Sequence, residues 1–198
     1  MANKLPDVNE LYSTFFDRWY GEEDRKRKGF EFARPDMMKC YKSGLTPSEI
    51  SCLTEEFQDE AIARVHRMVG SAKTDWARYL AVNGEIDEQW VLAADKHYDR
   101  KAIRQLIKIS DPSDFSNDLV VTVCQFGAVL GEVLRQNKPR LLWLPEWPYW
   151  ETSLYDPISG NVIPTFHWAM KKFSSYGVDD GFVEKLHCCV HILDNPDG

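Results

Sequence analysis

The chain has 198 residues, 43% of them apolar, 28% charged and 13% aromatic, with a net charge of −7. That length and balance suit one globular domain, or one domain with a substantial extension. No apolar run approaches the ~18 residues of a spanning helix, and an acidic balance disfavours nucleic acid, whose phosphates it repels.

The start, MANKLPDVNELY, lacks a basic segment followed by an apolar one, so no secretory signal is expected. Five cysteines lie at 40, 52, 124, 188 and 189 with no CxxC or paired Cys/His zinc spacing. Reduced thiols in a cytoplasm and no cofactor are the expectation. Residues 1–110 carry 18 basic and 19 acidic side chains, and residues 111–198 carry 6 and 12. The C-terminal region is therefore the acidic one. That charge attracts a basic protein partner, or simply keeps the chain soluble.

In chain order, Val8, Leu11, Phe15 and Trp19 recur at helical spacing, and Gly21 ends that helix. GEEDRKRKG follows as a charged loop, and residues 35–43 read as a short helix closed by Gly44. Thr46, Pro47 and Glu49 form a capping-box start. Ile50, Leu53, Phe57, Ala61, Val65 and Met68 then keep one helical face, until Gly70 interrupts. Helix resumes over 72–82 and closes at Asn83-Gly84. Residues 86–110 make one long helix or two short ones, and DPSDFSND is the internal boundary, with Asp118 as the next cap.

LVVTVCQFGAVLGEVLRQ is apolar almost all round. Its β-branched start suits a strand, but its length favours a buried helix. After Pro139 the period changes: RLLWLPEW and ETSLYD read as a hairpin, with NVIPTF as a short third strand. Two closing helices follow, one capped by Thr165 and ended by Gly177, the other started by Asp179. The expected fold is α+β and predominantly helical: N-terminal helices over 1–110, then a buried helix, a hairpin or three-stranded sheet and two closing helices over 111–198.

Four constellations invite a chemical reading. His187 and His191 share a helix face flanked by Glu184 and Cys188, which could offer zinc ligands. The string HCCVH lacks the glutamate of HExxH, so a polar outer face is the preferred account. Cys124 with His167 could form a nucleophile and base, although a cysteine in an apolar helix is ordinarily a small hydrophobe. Glu146 and Glu151 flank WPYW, as in a sugar-cleaving site; edge acids that keep an aromatic hairpin soluble are the simpler reading. Gly127 and Gly131, four apart, point to close packing rather than a dinucleotide fingerprint.

The stretch LLWLPEWPYWETSLYDPISGN holds three tryptophans, two tyrosines and three prolines in 21 residues. Rigid aromatics with one polar atom each dominate protein interfaces. Glu146, Trp147, Tyr149, Trp150, Glu151, Tyr155 and Asp156 are thus the expected partner-binding residues, and full burial of the rings would defeat that expectation.

FGAVLGEVLR, RLLWLPEW, DPISGNVI and FHWAMKKF lead in order into an acidic-started last helix. This region, roughly 119–193, resembles small uncharacterised bacterial domains of the kind associated with immunity proteins of interbacterial toxin systems. The likeness covers under half the chain. It implies a cytosolic, non-enzymatic, cofactor-free protein that neutralises one cognate toxin by direct binding. It carries over no site residues. The function expected is a non-enzymatic binding protein that occludes a toxin domain with a basic surface. The alternative is a small hydrolase or metal enzyme using Cys124 with His167, or His187 with His191.

Overall fold

The computed structural model describes residues 4–20, 41–42, 55–146 and 148–195. The fold is α+β and mostly helical, with seven α-helices and one antiparallel sheet among the described residues.

Helix α1 (Val8–Phe15) opens with a capping box. Asp7 accepts from the backbone N–H groups of Asn9 at 2.8 Å and Glu10 at 2.9 Å, and its own N–H donates to the Glu10 carboxylate. Val8, Leu11, Tyr12 and Phe15 turn inward. The expected stops at Gly21 and Gly44 and the cap at Thr46 lie outside the described residues. So does most of the helix expected over 35–43, but Tyr41–Lys42 form strand β1 rather than a helix end.

Helix α2 (Glu55–Tyr79) is unbroken, so Gly70 does not interrupt it. A glycine inside a helix costs about 1 kcal/mol. Full burial of Val65 before it and Trp76 after it is worth more, at about 1.5–3 kcal/mol for each large side chain. The expected segment 86–110 is two helices, α3 (Glu88–His97) and α4 (Arg100–Ile109). The Asp87 and Asp99 side chains cap them by accepting from first-turn N–H groups.

Helix α5 (Asp118–Asn137) is the centre of the molecule, and fourteen of its residues are buried. Its cap is Asn117, whose side chain accepts from Val120 N–H at 3.0 Å, and Asp118 is the first helical residue. A Cβ on Gly127 would lie 2.7 Å from Phe166 Cα, and one on Gly131 would overlap the Trp143 ring. These glycines let α5 approach its neighbours closely, as their spacing suggests.

Strands β2 (Leu142–Leu144), β3 (Ser153–Tyr155) and β4 (Asn161–Ile163) form an antiparallel meander, with β1 added beside β4. Trp143 faces Leu154, and Tyr155 faces Val162. Helix α6 (Thr165–Lys172) is buried along its whole length. Thr165 lies inside its first turn rather than capping it. Gly177 N–H closes the end by donating to Lys171 carbonyl at 3.1 Å. Helix α7 (Phe182–Asp194) starts three residues after Asp179. Asp179 is drawn to Arg100 and Asp180 to Lys185, so neither side chain caps the helix. Residues from both the 1–110 and 111–198 regions enter one contiguous apolar core.

Candidate functional site

The quoted aromatic segment turns through a short 3-10 helix, Tyr149–Glu151. Pro148 sets its entry, and its rings point inward. Trp150 is 0% exposed and Tyr149 3%. The Trp150 indole meets Phe16 edge-on at 5.4 Å between centroids and lies 5.3 Å from Phe115. Tyr149 meets Phe166 edge-on at 6.2 Å. Such pairs stabilise beyond their buried area, by about 0.5–1.5 kcal/mol each.

A polar cluster hangs from these rings. Trp150 Nε1–H donates to Tyr20 Oη at 2.9 Å. Tyr20 Oη–H in turn donates to Glu151 Oε1, and Tyr12 Oη–H donates to the same oxygen at 3.3 Å. On the other side, His167 Nε2 lies 2.9 Å from Glu151 Oε2, within hydrogen-bond reach for an Nε2–H to donate to the carboxylate. Burial, reinforced by the Glu151 charge, pushes both phenols well above their ordinary range. They stay protonated donors at any physiological pH. His167 Nδ1 is buried without a hydrogen-bond partner among the described residues.

A carboxylate that orients an imidazole is the base half of a nucleophilic triad. The Cys124 thiol hydrogen-bonds Tyr149, and no bond between it and His167 is present among the described residues. Burial pushes the Cys124 thiol up to about 12, and the Tyr149 hydroxyl only partly offsets that. Cys124 is therefore a protonated, 0% exposed core thiol and not an activated nucleophile. Nor do the two histidines of α7 converge. His187 Nε2 pairs with Glu88 of α3 at 3.0 Å, whereas His191 Nδ1 lies 3.3 Å from Asn195 Nδ2. No three His, Cys, Asp or Glu side chains are grouped to hold a metal among the described residues.

This geometry corrects the expectation of partner contact for Glu146, Tyr149, Trp150, Glu151 and Asp156. Tyr149 and Trp150 are core, and Glu151 is the acceptor that binds α1 to the sheet. Glu146 is buried, and its N–H donates to Thr152 Oγ1 at 3.0 Å. Asp156 is 0% exposed and held by Arg140 through two bonds of 2.8 and 3.0 Å. It also accepts from Ser159 at 2.7 Å and Ile158 N–H at 3.1 Å. Burial raises the Asp156 carboxyl, but the Arg140 guanidinium and these donors outweigh it and hold it below the usual range. Tyr155 is half-buried in β3, and Trp147 lies outside the described residues. Glu146 and Glu151 are likewise not edge acids. Tyr149 and Trp150 are enclosed by Phe16, Phe115 and Phe166, which come from three separate segments of the chain.

Tyr12, Tyr20 and Arg140 complete these networks and carry no sequence signal of their own. Their partners lie 139, 131 and 16 positions away.

No protein family model, curated protein or solved structure matches this chain. No described helix is long and apolar enough to cross a membrane.

Proposed function

We propose that this chain is a binding protein of the immunity type, which neutralises a partner protein by occluding a basic surface on it. One observation carries the reading: the cations of the acidic C-terminal region are used internally. Arg135 pairs with Glu132, Lys138 with Asp194, Arg140 with Asp156, Lys172 with Asp95 and Lys185 with Asp180, while Lys171 is fully buried.

The outward charge of that region is thus set by its acids. Asp111 and Asp114 stand exposed in the turn before α5, Asp118 at its first residue, and Glu184 on α7. A negative face accelerates encounter with a cationic partner and rejects wrong ones, with less effect on final affinity. The buried aromatic segment supports that face from beneath; it is not the contact.

The test is affinity capture from the native host, followed by association kinetics with the captured protein. Asp111→Asn, Asp114→Asn and Asp118→Asn together are expected to slow association several-fold at low salt. Raising salt is expected to erase the difference, since surface charge is screened beyond roughly 10 Å at 0.1 M. Capture of a small-molecule substrate activity instead, or an on-rate indifferent to the triple substitution, defeats the reading.

A further inference from the structure

Helix α3 turns Trp90, Val91 and Ala94 into the core. On its outer side Gln89 and Lys96 stand exposed, and Leu92 and Ala93 are half-buried. These four line an open cleft of about 680 Å³ between α3 and the chain from Tyr79 to Asn83. The opposite wall carries Leu80 and Val82, also half-buried, and Tyr79, which is 43% exposed. Apolar side chains on both walls therefore still touch water.

The charged residues of the lining are Asp87, Lys96 and His97. Asp87 caps the start of α3, whereas Lys96 and His97 lie in its last turn. Opposite charges thus stand at the two ends of the cleft, about 13 Å apart along the helix axis. One oxygen of Asp87 accepts from the Gln89 N–H at 2.9 Å. Neither Asp87 nor Lys96 has an ion pair among the described residues. The acids close to Asp87 in sequence are occupied: Glu85 pairs with Lys73 at 2.9 Å and Glu88 with His187 at 3.0 Å.

We propose that this cleft joins two copies of the chain, with their α3 helices antiparallel about a two-fold axis. A surface with an unpaired acid at one end and an unpaired base at the other matches itself after a half-turn. The axis passes beside Leu92, midway between positions 87 and 96, and brings Asp87 of each copy to Lys96 of the other. Leu92 and Ala93 then meet their own counterparts, and the α3 ridge of each copy lies in the groove of the other. The small Ala93 side chain permits that approach, and opposed helix dipoles favour it. The contact is confined to one ten-residue helix and the facing turn. That is the small end of specific interfaces, so the dimer is weak and reversible. It uses none of the acids assigned to the face that meets a basic partner, so it stands or falls separately.

Sedimentation velocity of the full chain over a concentration series reads the association. A monomer–dimer equilibrium is expected, weakened by added salt. Lys96→Glu should weaken it at least tenfold, because two acids then meet at both ends of the contact. Asp87→Asn, which keeps a good helix cap, should weaken it several-fold. Asp87→Lys alone should also stay monomeric, yet mixed with the Lys96→Glu chain it should restore a dimer, since opposite charges then face each other at both ends. Circular dichroism of each variant separates lost association from lost fold, and Asp87→Asn decides alone if Asp87→Lys unfolds. A chain that stays monomeric to about 1 mM overturns the proposal. So does a dimer indifferent to Lys96→Glu, or a mixture of the two folded charge reversals that remains monomeric. A monomer whose cleft instead takes small molecules from a fragment library makes it a ligand site, and that outcome too overturns the dimer.

Discussion

Glu151 shows how a single residue's sequence context can mislead. Between WPYW and TSLYD it reads as a solvated acid, yet it accepts from Tyr12, Tyr20 and His167. Nothing local announces donors that far away in the chain. Asp156 is the parallel case, and its aspartate-proline turn was legible while its clamp on Arg140 was not. The Arg140 guanidinium also donates to the Leu193 carbonyl at 2.7 Å, so one side chain joins the hairpin turn to the end of α7. Because the folded Asp156 carboxyl is held below its ordinary value, its ionisation stabilises the fold above the unfolded pKa of about 3.9. That contribution is lost as pH falls through the depressed folded value. Asp156→Asn should cost about 1–3 kcal/mol near neutral pH, and the gap to the unsubstituted protein should narrow on acidification. Urea unfolding at several pH values checks this; a constant gap would show that Asp156 acts by shape and not by charge.

At the scale of elements, the sequence shows its periodic segments more plainly than where they end. The apolar girdle of α5 is helical as its length suggested, and all three expected strands of the meander are present. Caps were displaced by tertiary demands: Asn117 takes the role expected of Asp118, and Asp179 and Asp180 serve ion pairs. Glycines separate the two cases most cleanly. Gly70 has open space around it, whereas Gly131 lies under the Trp143 ring. Gly70→Ala should therefore stabilise the protein by up to about 1 kcal/mol through helix propensity. Gly131→Ala should destabilise it by about 1–3 kcal/mol through overpacking. Thermal melts of the two variants should move in opposite directions, and a shared direction would contradict the placement of Trp143.

For the molecule as a whole, the helical and alternating periodicities of the sequence point to a mostly helical α+β protein, and the regions on either side of residue 110 share one apolar core. Phe16 and Tyr20 pack on Trp150, Tyr12 packs on both of them, and the Ser175 N–H donates to the Pro6 carbonyl at 2.8 Å. Residues 111–198 expressed alone are expected to give no cooperative melt, because they lack α1 and α2. Calorimetry of that fragment beside the full chain decides it, and a sharp transition in the fragment would show that residues 111–198 fold without the rest. The aromatic segment looked like a contact surface because residue type cannot say which side of a wall it occupies.

The bond from Tyr12 to Glu151 crosses 139 positions, and synthesis makes that separation a delay. As the polypeptide leaves the ribosome, α1 must wait for most of the remaining sequence before its greasy side finds a home. During the interval, that side is available to chaperones or to neighbouring nascent chains. Yield in cells should therefore respond more to translation speed and chaperone supply than the stability of the finished protein would suggest.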